Sequence, residues 1–228
     1  MQESLRGKLI VSCQAPDGDP FAAPAHLCLF ARAAVQGGAA GIRADGAETI
    51  RLIRQAVTVP IVGIKKVRLG DGRIMITPTN EDARSLHDAG ASIIALDCTA
   101  RGRAHGALER LRWIRAELGC AAWADTATVE DARLAADAGA DAVLSTLRGY
   151  TPETSHIQTL DLAFIEELVR EVRVPVVAEG WISTPDEAGF ALRAGAFAVV
   201  VGTAITRPEL ITARFARAVA AVAPSSAP

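Results

Sequence analysis

The sequence predicts one (β/α)8 barrel, the TIM barrel, as a single domain over residues 1–223, followed by a disordered tail at 224–228. Three observations support this prediction. Eight short apolar runs alternate with helical segments, two sequence patterns recur at about half the chain length, and polar residues end nearly every run. A chain of 228 residues can bury a substantial core, and no linker or change of composition marks a second domain.

The eight runs are nearly continuous in apolar residues, as expected for parallel strands that are covered on both faces. They lie at 8–14, 40–44, 59–66, 92–99, 120–125, 141–146, 175–180 and 198–203. The segments between them have helical periodicity. Two of these, 80–90 and 184–195, begin with a cap-like Asn or Thr and end on Gly. The alternation predicts eight successive βα units.

Two recurring patterns predict that the barrel is a duplicated half of four βα units. A Gly-Ala pair precedes the second, fourth, sixth and eighth runs, beginning at residues 38, 90, 139 and 195. The pattern V-x-V-P-[IV]-V occurs at Val57–Val62 and again at Val172–Val177, at the third and seventh runs. An open doubly wound sheet does not predict this match, and the GxGxxG motif typical of such sheets is missing from the sequence.

Composition and charge limit the partners of the protein. Lys and Arg number 24 against 26 Asp and Glu, so no basic excess favours nucleic acid or a membrane surface. Four scattered cysteines without a CxxC pair predict a reduced, cytoplasmic protein with neither a disulfide framework nor a zinc site. The longest apolar segment is shorter than the roughly 18 residues that span a bilayer. No HxH or HExxH spacing occurs, so no metal site is predicted.

The C-terminal ends of the predicted strands carry a concentration of polar residues that the N-terminal ends lack. Active sites of TIM barrels lie at the C-terminal ends. The residues there are Gln14, Arg43, Lys66, Asp97, Thr99, Asp125, Thr146, Glu179 and Thr203. Because the eight ends meet at one face of the barrel, these side chains predict a single polar pocket.

The last two strands predict a phosphate site. Gly180 and Gly202 allow a ligand to approach the backbone closely. The residues from Thr203 onward are expected to open a short helix whose free N–H groups face an anion, and Arg207 adds a bidentate partner. The alternative is that both glycines serve only tight turns.

Two lysines close the third run, and strand alternation separates them. Lys66 shares a face with Val62 and Ile64, so it is predicted to point into the barrel, whereas Lys65 is predicted to lie on the helix-facing side as a surface charge. Desolvation and nearby Arg43 and Arg207 would lower the pKa of an inward lysine and supply a neutral amine as base. Glu179 is then predicted to serve as the general acid or as a partner that holds Lys66 in place. A structural Lys66–Glu179 ion pair is the alternative.

Several stretches together resemble the bacterial N-acetylmannosamine-6-phosphate 2-epimerases over essentially the whole chain. They are "LIVSCQA", "GGAAGIRADG", "VPIVGIKK", "ITPT", "IIALDCTARGR", "ADTAT", "VPVVAEGWISTP" and "GTAITRP". The resemblance implies an enzyme that works without metal or organic cofactor on a phosphorylated N-acetyl amino sugar. It would convert N-acetylmannosamine 6-phosphate to N-acetylglucosamine 6-phosphate, a step of sialic acid catabolism.

The resemblance also implies roles for particular residues. Catalysis falls to Lys66 and Glu179, and phosphate contact to Arg207 beside the Gly180 and Gly202 backbone. The implied sugar contacts are Gln14, Arg43 and Asp125. Three positions depart from the family pattern without touching these residues: Lys65, Ala104 and Trp181.

Two other functions remain open at this point. Lys66 is also suited to attack a keto-sugar phosphate as a Schiff-base aldolase or lyase, and the barrel is also compatible with a non-catalytic phosphosugar-binding protein. A pentulose-phosphate 3-epimerase would need paired aspartates and metal-binding histidines on its strands, and these are missing. The apolar stretch 215–223 suits either a homodimer interface or the wall of the barrel.

Overall fold

Eight parallel strands alternate with helices and close into a barrel, which confirms the predicted fold. The computed structural model describes residues 2–16, 18–70 and 72–222. The predicted tail at 224–228 lies outside these residues. All eight predicted runs contain a barrel strand, each within the predicted bounds or one residue beyond them.

Ten strands are present in the described residues, eight of them in the barrel and two in a hairpin. They are β1 (Leu9–Cys13), β2 (Gly41–Asp45), β3 (Ile61–Ile64), β4 (Lys66–Arg68), β5 (Ile74–Ile76), β6 (Ile93–Asp97), β7 (Ala121–Asp125), β8 (Ala142–Leu144), β9 (Val176–Glu179) and β10 (Ala198–Val201). Around the barrel the order is β1-β10-β9-β8-β7-β6-β3-β2, with β10 closing against β1. The hairpin consists of β4 and β5.

Helices follow every barrel strand and cover its outer face. They are α1 (Pro24–Gln36), α2 (Ala47–Ala56), α3 (Asn80–Asp88), α4 (Ala100–Ala104), α5 (Ala107–Trp113), α6 (Val129–Asp137), α7 (Leu162–Glu171), α8 (Pro185–Arg193), α9 (Thr203–Thr206) and α10 (Pro208–Ala220). A 3₁₀ turn at Gln2–Leu5 precedes β1, and a π turn at Ile114–Leu118 extends α5.

Alternation along the strands separates two apolar layers. One layer fills the inside of the barrel and includes Val62 and Ile64 of β3 together with Trp123 of β7. The other lies between strands and helices, where Ile61 packs with residues of the helices. Val62 and Ile64 therefore point inward as predicted.

Helix caps follow local sequence. Thr128 and Thr184 form capping boxes with Asp131 and Glu187, so the first turns of α6 and α8 have their free N–H groups bonded. Thr79, rather than the neighbouring Asn80, caps α3 by accepting a hydrogen bond from the backbone of the first turn. Each cap places a helix start directly after a strand end, at the face that carries the polar residues.

The four Gly-Ala pairs occupy equivalent places in the barrel. Gly38, Gly90, Gly139 and Gly195 each follow a helix and precede a strand, with φ of 101°, 104°, 97° and 98°. Backbone with these angles strongly favours glycine, because a Cβ would clash with the neighbouring carbonyl. The agreement in geometry supports the predicted repetition of βα units.

The structure corrects the predicted third run and adds a hairpin that was not predicted. The run at 59–66 forms a barrel strand only over Ile61–Ile64. Lys66 instead opens β4, which pairs antiparallel with β5 through Lys66↔Ile76 and Arg68↔Ile74. The hairpin was not predicted because both strands are only three residues long: β4 (KVR) is mostly exposed and charged, and the apolar β5 (IMI) is too short to stand out as a run.

Candidate active site

The inward side chains at the C-terminal strand ends are charged, whereas those deeper in the barrel are apolar. Arg43 of β2, Asp125 of β7 and Glu179 of β9 point into the barrel, and Thr146 follows β8. Residues from strands on different sides of the barrel therefore meet at one point. This confirms the predicted convergence for these four positions.

Arg43 and Asp125 form a buried two-armed ion pair. Nη1 of Arg43 donates to Oδ1 of Asp125 at 3.1 Å and Nη2 donates to Oδ2 at 2.8 Å. The two side chains are 1% and 0% exposed. Burial acts to lower the Arg43 pKa, but the Asp125 and Glu179 carboxylates outweigh it, and the pKa is raised. Arg43 is thus a permanent cation at the pocket floor.

Glu179 shares the guanidinium but is held less tightly. Its Oε2 lies 3.2 Å from Nη1 of Arg43 and accepts a hydrogen bond from the Thr146 hydroxyl at 3.0 Å. The same hydroxyl lies 2.6 Å from Oδ1 of Asp125. Burial raises the pKa of Glu179, with Asp125 adding to it, against the opposing effects of Arg43, Thr146 and Lys66. A carboxyl of this kind can exchange a proton closer to neutral pH.

Lys66 completes the cluster from the start of the hairpin. Its backbone N–H donates to Oδ1 of Asp45 at 3.0 Å. Lys66 keeps an exposed surface, and Asp45, Arg43 and Glu179 are among the charges that act on its amine. Loss of solvation lowers the Lys66 pKa, and Arg43 contributes to the lowering, whereas Asp45 and Glu179 oppose it.

The structural ion pair between Lys66 and Glu179, the alternative to a catalytic role, is not formed. Across the residues that the structure describes, no ion pair joins Lys66 to Glu179, whose carboxylate pairs with Arg43 instead. Lys65 is exposed. Of the two cations predicted to lower the Lys66 pKa, Arg43 is a main contributor.

Gln14 brings an unsatisfied acceptor to the end of β1. Its amide nitrogen donates to the Ser12 hydroxyl at 2.7 Å. Its Oε1 is buried without a hydrogen-bond partner within the described part of the chain. A buried carbonyl oxygen without a partner is costly, so this atom is available to a ligand hydroxyl or amide.

The predicted phosphate residues lie on two neighbouring loops. Gly180 has φ of 102° after β9. Gly202 precedes the four-residue helix α9, whose first residue, Thr203, is exposed. Arg207 follows α9, and its Nε lies 3.1 Å from Oδ2 of Asp19 while an Nη pairs with Glu209. The guanidinium is therefore oriented by two carboxylates.

Trp181 and Tyr150 form an aromatic wall beside these loops. Their rings stack with centroids 5.2 Å apart and an interplanar angle of 11°. The Trp181 indole donates to the carbonyl of Arg148 at 2.9 Å, and Trp181 has a φ of 61°. Burial raises the Tyr150 pKa, and the Glu179 carboxylate adds to this effect. Trp181 thus packs against the loop that follows β8.

Two strand-end residues form a separate network. Asp97 lies 2.7 Å from Arg101 and accepts from the Thr99 hydroxyl at 2.6 Å. Arg101 also donates to the carbonyl of Ile74 at 2.7 Å. Asp97 and Thr99 therefore fasten the hairpin to β6 and do not join the Arg43 cluster.

Three residues of the site were not assigned a role from the sequence. Asp45 ends the same strand as Arg43, so its strand-end position was the available signal. Thr146 was recognised as a strand-end residue, but its bridging contacts depend on neighbouring strands. Thr77 bonds the backbone beside Lys66, and no pattern indicated it because the hairpin was not predicted.

Within the described residues, no group of His, Cys, Asp and Glu side chains could hold a metal ion.

The chain is similar in sequence and structure to known proteins of one family. The family model "NanE: Putative N-acetylmannosamine-6-phosphate epimerase" matches residues 27–221. The chain is 39% identical over 221 residues to the "Putative N-acetylmannosamine-6-phosphate 2-epimerase" of Clostridioides difficile, covering 96% of this chain and 99% of that one. It is 45% identical over 224 residues to the "Bifunctional enzyme NanE/NanK" of Brucella melitensis, covering 98% of this chain and 43% of that one. The solved N-acetylmannosamine-6-phosphate 2-epimerase of Clostridium perfringens matches with a TM-score of 0.90 and 40% identity over 96% of each chain.

Proposed function

The chain belongs to the NanE family of N-acetylmannosamine-6-phosphate 2-epimerases, and we propose that Lys66 and Glu179 carry the proton transfers of this reaction. The enzyme converts N-acetylmannosamine 6-phosphate to N-acetylglucosamine 6-phosphate in sialic acid catabolism. The observation that supports the proposal is the placement of Lys66 and Glu179 around the buried Arg43–Asp125 pair.

The chemistry requires an acidic C2–H. The sugar ring opens to its aldehyde, and the proton on C2 becomes acidic because it lies α to the C1 carbonyl. Lys66 removes this proton, since a lowered pKa supplies more neutral amine near neutral pH. The resulting enolate is planar at C2, and a proton added to the opposite face gives the epimer.

Glu179 acts as the proton donor. Its raised pKa keeps a larger fraction of the carboxyl protonated than in a free glutamate. It delivers the second proton or assists ring opening and closing. Arg43 stabilises the negative charge that develops on the enolate oxygen, because a fixed cation in a water-poor site needs no reorganisation.

The remaining residues bind the substrate. Gln14 offers its unpartnered Oε1 to a sugar hydroxyl or amide, and Asp125 orients Arg43 and contacts the sugar. The phosphate lies against the backbone of Gly180, Gly202 and Thr203, with Arg207 at its side. The two carboxylates on Arg207 fix its direction.

Proton exchange at C2 tests the assignment of the base. The protein is incubated with N-acetylmannosamine 6-phosphate in D₂O and C2 is followed by NMR. We expect Lys66→Ala to slow deuterium incorporation by about 10²–10⁴-fold, and the adjacent Lys65→Ala, as matched control, to exchange at the native rate. Native exchange in Lys66→Ala would show that another group is the base.

The same experiment separates one-base from two-base chemistry. If Glu179 serves the opposite face, Glu179→Gln retains exchange of the substrate C2 proton but forms little epimer. If Lys66 instead serves both faces, C2 exchange and epimer formation change by the same factor in Glu179→Gln. Borohydride treatment with substrate should leave Lys66 unmodified, whereas a trapped adduct would support the Schiff-base lyase. Binding without any exchange would support a non-catalytic phosphosugar-binding protein.

The proposal includes a cytoplasmic homodimer. Helix α10 places no residue in the buried core, and Phe215 and Val219 on it are 71% and 66% exposed. A second copy of the chain that covers this face would remove this apolar surface from water. No helix in the described residues is long and apolar enough to cross a membrane.

A further inference from the structure

The backbone that carries Lys66 is not held by the barrel ladder. The β2–β3 pairing ends at Asp45↔Ile64, and the β3–β6 pairing ends at Gly63↔Ile94. Lys66 begins a hairpin strand instead. Because the regular ladder stops before Lys66, other bonds must place it against the charged cluster.

Thr77 supplies these bonds on the β6 side. Its hydroxyl accepts from the Lys65 backbone N–H at 3.2 Å and donates to the Ala95 carbonyl of β6 at 2.7 Å. Its own backbone N–H donates to the Lys65 carbonyl at 2.7 Å. Three hydrogen bonds thus run through one fully buried residue and connect the segment before Lys66 to the barrel wall. On the β2 side, Asp45 accepts from the Lys66 N–H.

The backbone of Thr77 indicates that its hydroxyl is used. Thr77 has φ of 50°, a conformation that a β-branched side chain disfavours and that glycine adopts freely. A glycine would relieve the conformation but remove the hydroxyl. Strained residues of this kind persist where surrounding bonds hold them, as the three bonds do here.

We propose that Thr77 is a positioning residue for the reaction: its hydroxyl and N–H fasten the start of the hairpin to β6 and thereby hold the Lys66 amine beside Arg43 and Glu179. This inference rests on the proposed function, in which Lys66 is the base. Thr77 acts only through Lys66, so its loss should affect proton transfer more than substrate binding.

Three variants separate the hydroxyl from the backbone conformation. Thr77→Gly suits the φ but lacks the hydroxyl, and Thr77→Ser keeps the hydroxyl. Leu168→Ala, on α7 in the apolar layer between strands and helices, is a general destabilisation control away from the inner layer of the barrel. The full-length protein is assayed with N-acetylmannosamine 6-phosphate across pH, with thermal unfolding measured in parallel.

We expect Thr77→Gly to lower kcat by about 10–100-fold, because a small misplacement of a catalytic group has effects of this size. KM should stay within about three-fold of wild type, as for a group that acts mainly in the transition state. The acidic limb of the kcat/KM profile should move to higher pH, because a displaced Lys66 regains solvent. Thr77→Ser should restore kcat and the profile, and Leu168→Ala should change neither.

A second readout does not depend on turnover. Acetic anhydride modifies neutral amines, so the pH dependence of Lys66 acetylation, read by peptide mass spectrometry, reports its titration. The midpoint should move to higher pH in Thr77→Gly and remain at the wild-type pH in Thr77→Ser.

Two results would overturn the inference: wild-type kcat with wild-type labelling in Thr77→Gly, or equal impairment of Thr77→Ser and Thr77→Gly. Failure of the proposed function gives a different result, native C2 exchange in Lys66→Ala. In that case the pH midpoint of Lys66 acetylation alone tests whether Thr77 positions Lys66, and an unchanged midpoint in Thr77→Gly rejects that role.

Discussion

At the scale of single residues, the centre of the site is one buried cation shared by two carboxylates. Arg43 pairs with Asp125 through two hydrogen bonds and with Glu179 through one longer contact of 3.2 Å. The tight pair orients the guanidinium, and the looser contact leaves Glu179 able to exchange a proton. The same cation therefore serves both structure and chemistry.

Removing Asp125 should destabilise the protein strongly. Asp125→Ala leaves the Arg43 charge buried with only the weaker Glu179 contact, and breaking a buried pair in this way costs about 3–5 kcal/mol. Urea denaturation at pH 7 measures the free energy of unfolding. The matched control is Glu171→Ala, which breaks an exposed pair with Arg133 and should cost at most about 1 kcal/mol. Equal losses in the two variants would contradict the assignment of a buried, oriented pair.

The raised pKa of Glu179 predicts how stability changes with pH. The folded-state pKa lies above the ordinary value of 4.5, so the stabilising contribution of Glu179 is complete below pH 4.5 and is lost as pH rises through the folded-state pKa. Glu179→Gln cannot ionise. Its Tm relative to wild type should therefore increase as the pH rises from about 4.5 to 8, measured by thermal unfolding. A difference that stays constant or decreases over this range would show that the pKa is not raised.

At the scale of elements, helix starts and the hairpin decide how the strand-end residues are presented. The capping threonines begin helices directly behind the strand ends. The hairpin β4–β5 takes over from β3 and delivers Lys66 to the cluster from one side. Its three-residue strands depend on contacts with the barrel, such as the Arg101 bond to the Ile74 carbonyl.

The capping box of α6 should contribute measurably to stability. Thr128→Ala removes the side-chain acceptor for the Asp131 N–H and should lower the free energy of unfolding by about 1 kcal/mol. Thr128→Ser retains a hydroxyl acceptor and should lower it by only a small fraction of that amount. Chemical denaturation of the two variants checks the difference. Loss of equal stability in both would mean that the Thr128 methyl packing, rather than the cap, is responsible.

At the scale of the whole molecule, the last helix differs from the others: each of helices α1 to α9 has at least one buried residue, whereas α10 has none. Helix α10 contributes no buried residue, although Leu210, Phe215 and Val219 lie on it. Exposed apolar side chains grouped on one helix are typical of a surface that binds a partner. This is the observation behind the proposed homodimer.

The oligomeric state can be read from mass in solution. Size-exclusion chromatography with light scattering should give twice the 23.8 kDa chain mass for the wild type. Phe215→Glu with Val219→Glu should shift the population toward the monomer, because charges would have to be buried at the interface. Glu substitution of Arg133, on the exposed face of α6, is the control and should leave the dimer intact. A wild-type monomer would contradict the proposal.

Periodicity and strand-end position were enough to predict the barrel and most of its polar cluster. Parallel strands with both faces covered have a recognisable apolar pattern, and the barrel brings their C-terminal ends together. Arg43, Asp125 and Glu179 follow directly from this rule. The hairpin was missed because its strands are only three residues long and β4 is charged and mostly exposed, and the positive φ of Thr77 opposes the local preference of a threonine.

The sequence by itself determined the closed barrel and the inward direction of Arg43, Asp125 and Glu179. These properties depend on residue order and the two-residue period of a strand, which are local. The predicted separation of Lys66 from Lys65 by strand alternation does not apply, because both residues lie beyond the end of β3 at Ile64 and both are exposed. Only the tertiary structure decided that Thr146 bridges two carboxylates, that Arg207 is oriented by Asp19 and Glu209, and that Thr77 and Asp45 hold the Lys66 backbone. Each of these contacts joins residues distant along the chain, and their distances are set by how neighbouring strands and loops pack.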